Sequence, residues 1–272
     1  MPTFVDRTHM VQLLRGEYDA IGALCSRLSK DDWDVATCLP GWTVRDALSH
    51  VIGTEAALCG EPSPDVGISH LGHIRNPIAE ANEIWVESMR HCNGQEMLAR
   101  FEDVTGRRLS ALDAMTQPDF DAPSWTPAGR DETYGRFMRI RHFDCFMHEH
   151  DIRGAVGAPW RDAEDDVRSA LDEVATGIGY IVGRRAALPE GTTVRIDLTG
   201  PVNRTYLVEV EGRATIVDSL EQPVTAGISL SAMLFLRLTG GRDEGPIAGE
   251  GITFSGDRSL GDQLVANLAF TI

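Results

Sequence analysis

The residues best suited to chemistry form one short run, Asp144-Cys-Phe-Met-His148-Glu-His-Asp151. At roughly 100° per helical residue, Asp144 and His148 lie about 40° apart on one face, and Asp151 extends that stripe. A carboxylate oxygen and an imidazole nitrogen one turn apart can reach the same cation. Two ligands on one helix need a third from another element, with water filling what remains. His50 is the best supplier, flanked by Leu48, Val51 and Ile52, and Asp46 one turn earlier is a candidate acceptor for its other ring nitrogen. Plainer readings stand beside this one. A D-x-x-x-H pair also forms surface ion pairs, and a lone histidine such as His50 is often a satisfied core residue. His142 and His150 rival His148, although His150 lies about 240° around the helix from Asp144 and should point elsewhere. Glu149 and Arg153 are expected to be solvated.

Four long helices must position these groups. Apolar residues recur at three- and four-residue spacings over 8–28, and Thr43-Val-Arg-Asp46 reads as an N-cap with an acid in the first turn, opening a helix through residue 57. Helical periods continue over 78–92 and 95–115. A Pro-rich loop around Pro118, Pro123, Trp125 and Pro127 precedes a helix over 133–156, closed by Gly157-Ala-Pro159. Such segments suit a bundle. One further helix is expected over 162–188, and then the period drops to two. Strands are predicted over 193–199 and 205–210 around a Gly200-Pro201 turn, with weaker ones at 214–217, 226–229 and 252–255. Helices are expected over 230–238 and 259–270. The chain therefore reads as α+β in two domains, 1–158 and 159–272.

The 272 residues carry a formal net charge of -16. So acidic a surface repels phosphate backbones, and no basic patch argues for nucleic-acid binding. No apolar run is long enough to span a bilayer. Five scattered cysteines without a CxxC point to buried free thiols in a reducing cytoplasm.

Leu39-Pro-Gly-Trp-Thr-Val-Arg-Asp-Ala-Leu-Ser-His50 resembles the loop-and-helix motif of the mycothiol-dependent maleylpyruvate isomerase family, and Asp144-xxx-His148-xx-Asp151-Ile-Arg153-Gly-Ala-Val-Gly157 resembles its second motif. His73-Ile-Arg-Asn-Pro77, Ala81-Asn-Glu83, Phe235 to Arg242 and Gly256-Asp257 are similar to family members too, so the likeness covers nearly the whole chain. The resemblance implies a DinB-like four-helix bundle followed by a small sterol-carrier-protein-like α+β domain. It implies a divalent metal on His50, Asp144 and His148, with zinc first and manganese or nickel as rivals, because Asp144 stands where the isomerase usually has Glu. It further implies mycothiol or a similar thiol as cofactor, and Arg242, with Arg237 as competitor, handling a substrate carboxylate.

The activity so implied is a thiol-dependent isomerisation or S-transfer on a small electrophile. A thiolate adds to an activated double bond, the new single bond rotates, and eliminating the thiol leaves the trans isomer. A metal-water hydrolase and a non-catalytic small-molecule or metal-binding protein are the alternatives.

Overall fold

In the computed structural model, residues 2–72, 74, 76–242 and 251–271 are described. His73 and Arg75 of the motif quoted above lie outside them. The chain divides into two compact units, Met1–Arg161 and Asp162–Ile272.

Unit 1 is helical. α1 (Arg7–Cys25), α2 (Val44–Leu58), α4 (Gly94–Ala114) and α6 (Tyr134–Val156) form a four-helix ring in which α1 packs on α6 and α4, and α2 on the same pair. α3 (Pro77–Met89) lies against α2. The helix starts follow local chemistry. Asp6, Thr43, Asn76, Asn93 and Thr133 each accept a backbone N–H from the first turn that has no intrahelical partner. Gly157 closes α6 in the left-handed conformation, φ 65°. Leu14, Ile21, Leu48, Ile52, Met97, Phe101 and Leu112 fill the centre and are at most 2% exposed.

The loop expected around Pro118 to Pro127 is instead a short helix, α5 (Gln117–Asp121), and a hairpin of β1 (Pro123–Thr126) and β2 (Gly129–Thr133). Neither strand alternates apolar with polar residues, so a period-two reading passes over them. The pair is held by its ladder and by the Thr126 hydroxyl donating to the Gly129 carbonyl at 3.1 Å.

Unit 2 is α+β. The helix expected over 162–188 is broken: α7 (Glu164–Ala175) is followed by α8 (Ile178–Tyr180) and a π-turn, Ile181–Arg185, where Gly177 and Gly179 weaken the helical ladder. Five strands follow, β3 (Thr193–Thr199), β4 (Arg204–Glu211), β5 (Arg213–Val217), β6 (Ala226–Ser231) and β7 (Thr253–Gly256). They lie in the order β5-β4-β3-β6-β7. β3 and β6 run parallel, and the other pairs are antiparallel. α9 (Ala232–Thr239) and α10 (Arg258–Val265) pack on this sheet. Among the described residues no helix is long and apolar enough to cross a membrane.

Candidate metal centre

α6 carries the reactive stripe. Arg141, Asp144, His148 and Asp151 follow at intervals of three, four and three residues, which keeps them on one helix face. α2 brings His50 against it, and its register is set by a capping box in which Thr43 and Asp46 satisfy each other's backbone N–H groups.

The three predicted ligands converge. His50 Nε2 lies 3.0 Å from Asp144 Oδ2, and His148 Nε2 lies 3.6 Å from Asp144 Oδ1. The donor atoms of all three fall within 4.8 Å of one another. Around a tetrahedral zinc with bonds of about 2.1 Å, ligand atoms stand about 3.4 Å apart, so the observed spacings fit one ion after small adjustments. Two imidazoles and a carboxylate are also the donor types such an ion takes. His50 and His148 are nearly buried, whereas Asp144 keeps 31% of its side chain exposed, leaving a solvent-facing side.

Electrostatics separates the two histidines. Burial pushes the His50 imidazole below its ordinary value, and the pull of Asp144 does not restore it. Burial acts on His148 in the same direction, but Asp144 and Asp151 together outweigh it and raise its pKa. Asp144 has enough protein around it for burial to oppose ionisation. Even so, His50, Arg141 and His148 hold its carboxyl well below the carboxylate range. As an anion Asp144 can only accept, so His50 donates from Nε2, and its buried Nδ1 has no hydrogen-bond partner among the described residues.

Asp46 therefore does not orient His50. Its Oδ2 is taken by the Thr43 backbone N–H and hydroxyl, and its Oδ1 lies 3.4 Å from Arg90 Nε. The orienting carboxylate is on the other histidine: His148 Nδ1 donates to Asp151 Oδ2 at 3.1 Å. Asp151 Oδ1 accepts from the thiol of Cys38 at 3.2 Å. Cys38 is thus exposed and engaged, not one of the buried thiols expected from the sequence, while Cys25 and Cys145 are buried. Cys38 opens the Leu39-Pro-Gly-Trp42 turn, where Trp42 N donates to Leu39 O and Gly41 adopts φ 81°, the left-handed geometry that a Pro-Gly type II turn requires. The turn lays Trp42 beside both imidazoles, 5.4 Å from His50 and 5.7 Å from His148 between ring centroids. Buried Glu83 of α3 fixes the indole by accepting from Nε1 at 2.6 Å.

Beneath Asp144 lies a charged core that sequence reading missed. Arg141 donates to Asp144 Oδ2 at 2.6 Å and to Glu55 Oε1 at 3.0 and 2.8 Å. Arg108 of α4 takes Glu55 Oε2 at 3.1 Å. The i,i+3 spacing of Arg141 and Asp144 was the only local signal, since Glu55 and Arg108 are distant in sequence. Glu149, expected in solvent, is fully buried and accepts from Arg153 Nε at 2.9 Å and Arg161 Nε at 2.9 Å, and Arg153, expected there too, is half-buried against it. His150 points away from the centre, with its ring nitrogens on the carbonyls of Phe146 and Arg161, and His142 is buried beside Phe146. In unit 2, Arg242 is buried just past α9 and donates from Nη1 to Gly240 O at 2.6 Å, and Arg237 is buried on α9 itself.

A four-helix bundle with two histidines and a carboxylate gathered between facing helices defines the class as a helical-bundle protein with a candidate metal centre. Residues 14–153 match the model of the mycothiol maleylpyruvate isomerase N-terminal domain, and the chain belongs to that family. An uncharacterized protein of Mycobacterium tuberculosis, found in two strains, is 24% identical over 195 residues, covering 71% of this chain and 74% of its own. The crystal structure of the mycothiol-dependent maleylpyruvate isomerase superposes with a TM-score of 0.61 at 19% identity, covering 94% of this chain and 96% of that one. A point mutant of the same enzyme superposes equally, with a TM-score of 0.60 at 18% identity. These likenesses establish a shared fold.

Proposed function

We propose that the chain is a metal-dependent isomerase or S-transferase that uses a low-molecular-weight thiol, mycothiol or a close analogue, on small electrophiles of the maleylpyruvate type. The observation that carries this reading is the convergence of His50 Nε2 and His148 Nε2 on the two oxygens of Asp144. Membership of the family supports the choice of thiol.

His50, Asp144 and His148 would hold the cation, zinc being the first expectation. When bound, it supplies Lewis acidity that lowers the pKa of a thiol sulfur and gives thiolate at neutral pH. The chain's own groups do the rest. Asp151 keeps the His148 proton on Nδ1, so that Nε2 presents its lone pair to the centre. Trp42, tethered by Glu83, shields one side of the two imidazoles from water. Asp144 keeps the open side, where a thiol and an electrophile would enter. Arg242, with Arg237 as the competitor, is the proposed partner of a substrate carboxylate, a role that rests on the family resemblance alone.

Metal analysis of the purified protein, combined with turnover of an electrophile panel with and without mycothiol, tests this. The expected result is about one zinc per chain, lost in His50→Ala, and turnover that requires the thiol. Turnover unchanged on omitting the thiol sinks the thiol chemistry and leaves a metal-water hydrolase. Unchanged metal content in His50→Ala sinks the ligand set.

A further inference from the structure

Arg141 has an unusual position. One guanidinium, 4% exposed, spans two carboxylates, with Nε and Nη2 on Glu55 Oε1 and Nη1 on Asp144 Oδ2. Glu55 is already matched by Arg108 on its other oxygen. Arg108 and Arg141 are thus balanced by Glu55 and Asp144, and the four charges sum to zero. Asp144 therefore serves two purposes at once, as a donor facing the two imidazoles and as the counter-charge to a buried arginine.

We propose that Arg141 is a positioning residue for the metal centre. It withholds Asp144 Oδ2 from the cation and leaves the charge of the cation under-compensated, so that the site favours an anionic ligand at its open position. This rests on the ligand set proposed above. With two neutral imidazoles and a carboxylate shared with a guanidinium, a dication retains nearly its full charge. A guanidinium beside a carboxylate stabilises the anion by about one to three pKa units, and electron density drawn to Arg141 is denied to the cation. Zinc is bound less tightly than by an unshared carboxylate, and a thiolate is bound more tightly. Lysine could not do the same, because its single nitrogen lacks the fork that reaches Glu55 and Asp144 together.

The test compares wild-type protein with Arg141→Gln, which leaves Glu55 paired with Arg108. Zinc affinity is measured by chelator competition without any thiol. Mycothiol affinity is read from the thiolate-to-metal charge-transfer band of cobalt(II)-substituted protein. Arg141→Gln is expected to bind zinc about tenfold more tightly and to need about tenfold more mycothiol to saturate the band. A merely structural role would weaken both. Should glutamine at this buried position prevent folding, Arg141→Lys carries the test. Its ammonium stays on the more buried Glu55 and releases Asp144, giving shifts of the same sign, about threefold each. Zinc binding that is unchanged or weaker in a folded variant overturns the proposal. If wild-type protein binds zinc but shows no mycothiol band, the thiol reading fails, and the zinc comparison still decides the role of Arg141.

Discussion

Replacing Asp151 should weaken metal binding by an amount that the geometry allows to be worked out. The carboxylate is buried, with its side chain 0% exposed, and it accepts from His148 Nδ1 at 3.1 Å. A buried hydrogen bond to a charged group is worth about 1.5–3 kcal/mol, against about 1 kcal/mol for a neutral one. Asp151→Asn keeps the shape and an acceptor oxygen but removes the charge, so about 1.4 kcal/mol is lost, a factor of about ten in zinc affinity. Asp151→Leu removes the acceptor altogether and leaves a buried imidazole N–H unsatisfied. The loss then rises to about a hundredfold, the upper end of what removing such an orienting partner costs a metal site. The assay is chelator competition for zinc, with circular dichroism to verify that each variant is folded. The sharing of Asp151 with Cys38 does not confuse the result, because Cys38→Ala leaves the His148 contact in place and should leave zinc affinity unchanged. If folded Asp151→Leu binds zinc within about twofold of wild type, less than half a kcal/mol, then Asp151 does not orient His148 or His148 is not a ligand.

In the metal-free protein the two histidines should titrate on opposite sides of 6.5, His50 below and His148 above, as imidazole NMR signals would show. By linkage the raised His148 value stabilises the fold below pH 6.5, and that contribution is lost as pH rises through its folded-state value. A common midpoint for both rings would refute the assignment. Glu55→Leu takes the paired carboxylate from buried Arg108, 3% exposed, and leaves buried Arg141, 4% exposed, with Asp144 alone. It should cost about 3–5 kcal/mol, seen as a fall of about 10 °C in Tm, and a Tm within about 2 °C of wild type would refute it. At Gly53 an added Cβ would lie 2.3 Å from Trp85 Cβ, so Gly53→Ala must push α3 off α2. Denaturant unfolding should show a loss of about 1–3 kcal/mol, and an unchanged midpoint would contradict this packing.

Local sequence determined what depends on a few neighbouring residues. The N-cap at Thr43, the left-handed stop at Gly157, the period of α6 and the alternation of β3 and β4 are written in windows of a few residues. The stripe of Asp144, His148 and Asp151 follows from helical geometry in the same way. The hairpin of β1 and β2 was not legible, because its pairing rests on backbone contacts without an apolar pattern. The break after α7 was equally hidden, because apolar residues on both sides keep a helical period.

Tertiary structure decided which partners those residues meet. Asp46 lies one turn from His50 in sequence, yet the capping box claims it, and the orienting carboxylate is Asp151, which serves His148 from the same helix. Glu149 looked like a surface charge until Arg153 and Arg161 buried it. Glu55, Arg108 and Arg141 come from three helices, and nothing in any one of them announces that they share a network. The physical reason is range. Capping and periodicity act over one or two helical turns and can be read along the chain, whereas ion pairing and ligand convergence act through space, between groups brought together only when the bundle packs.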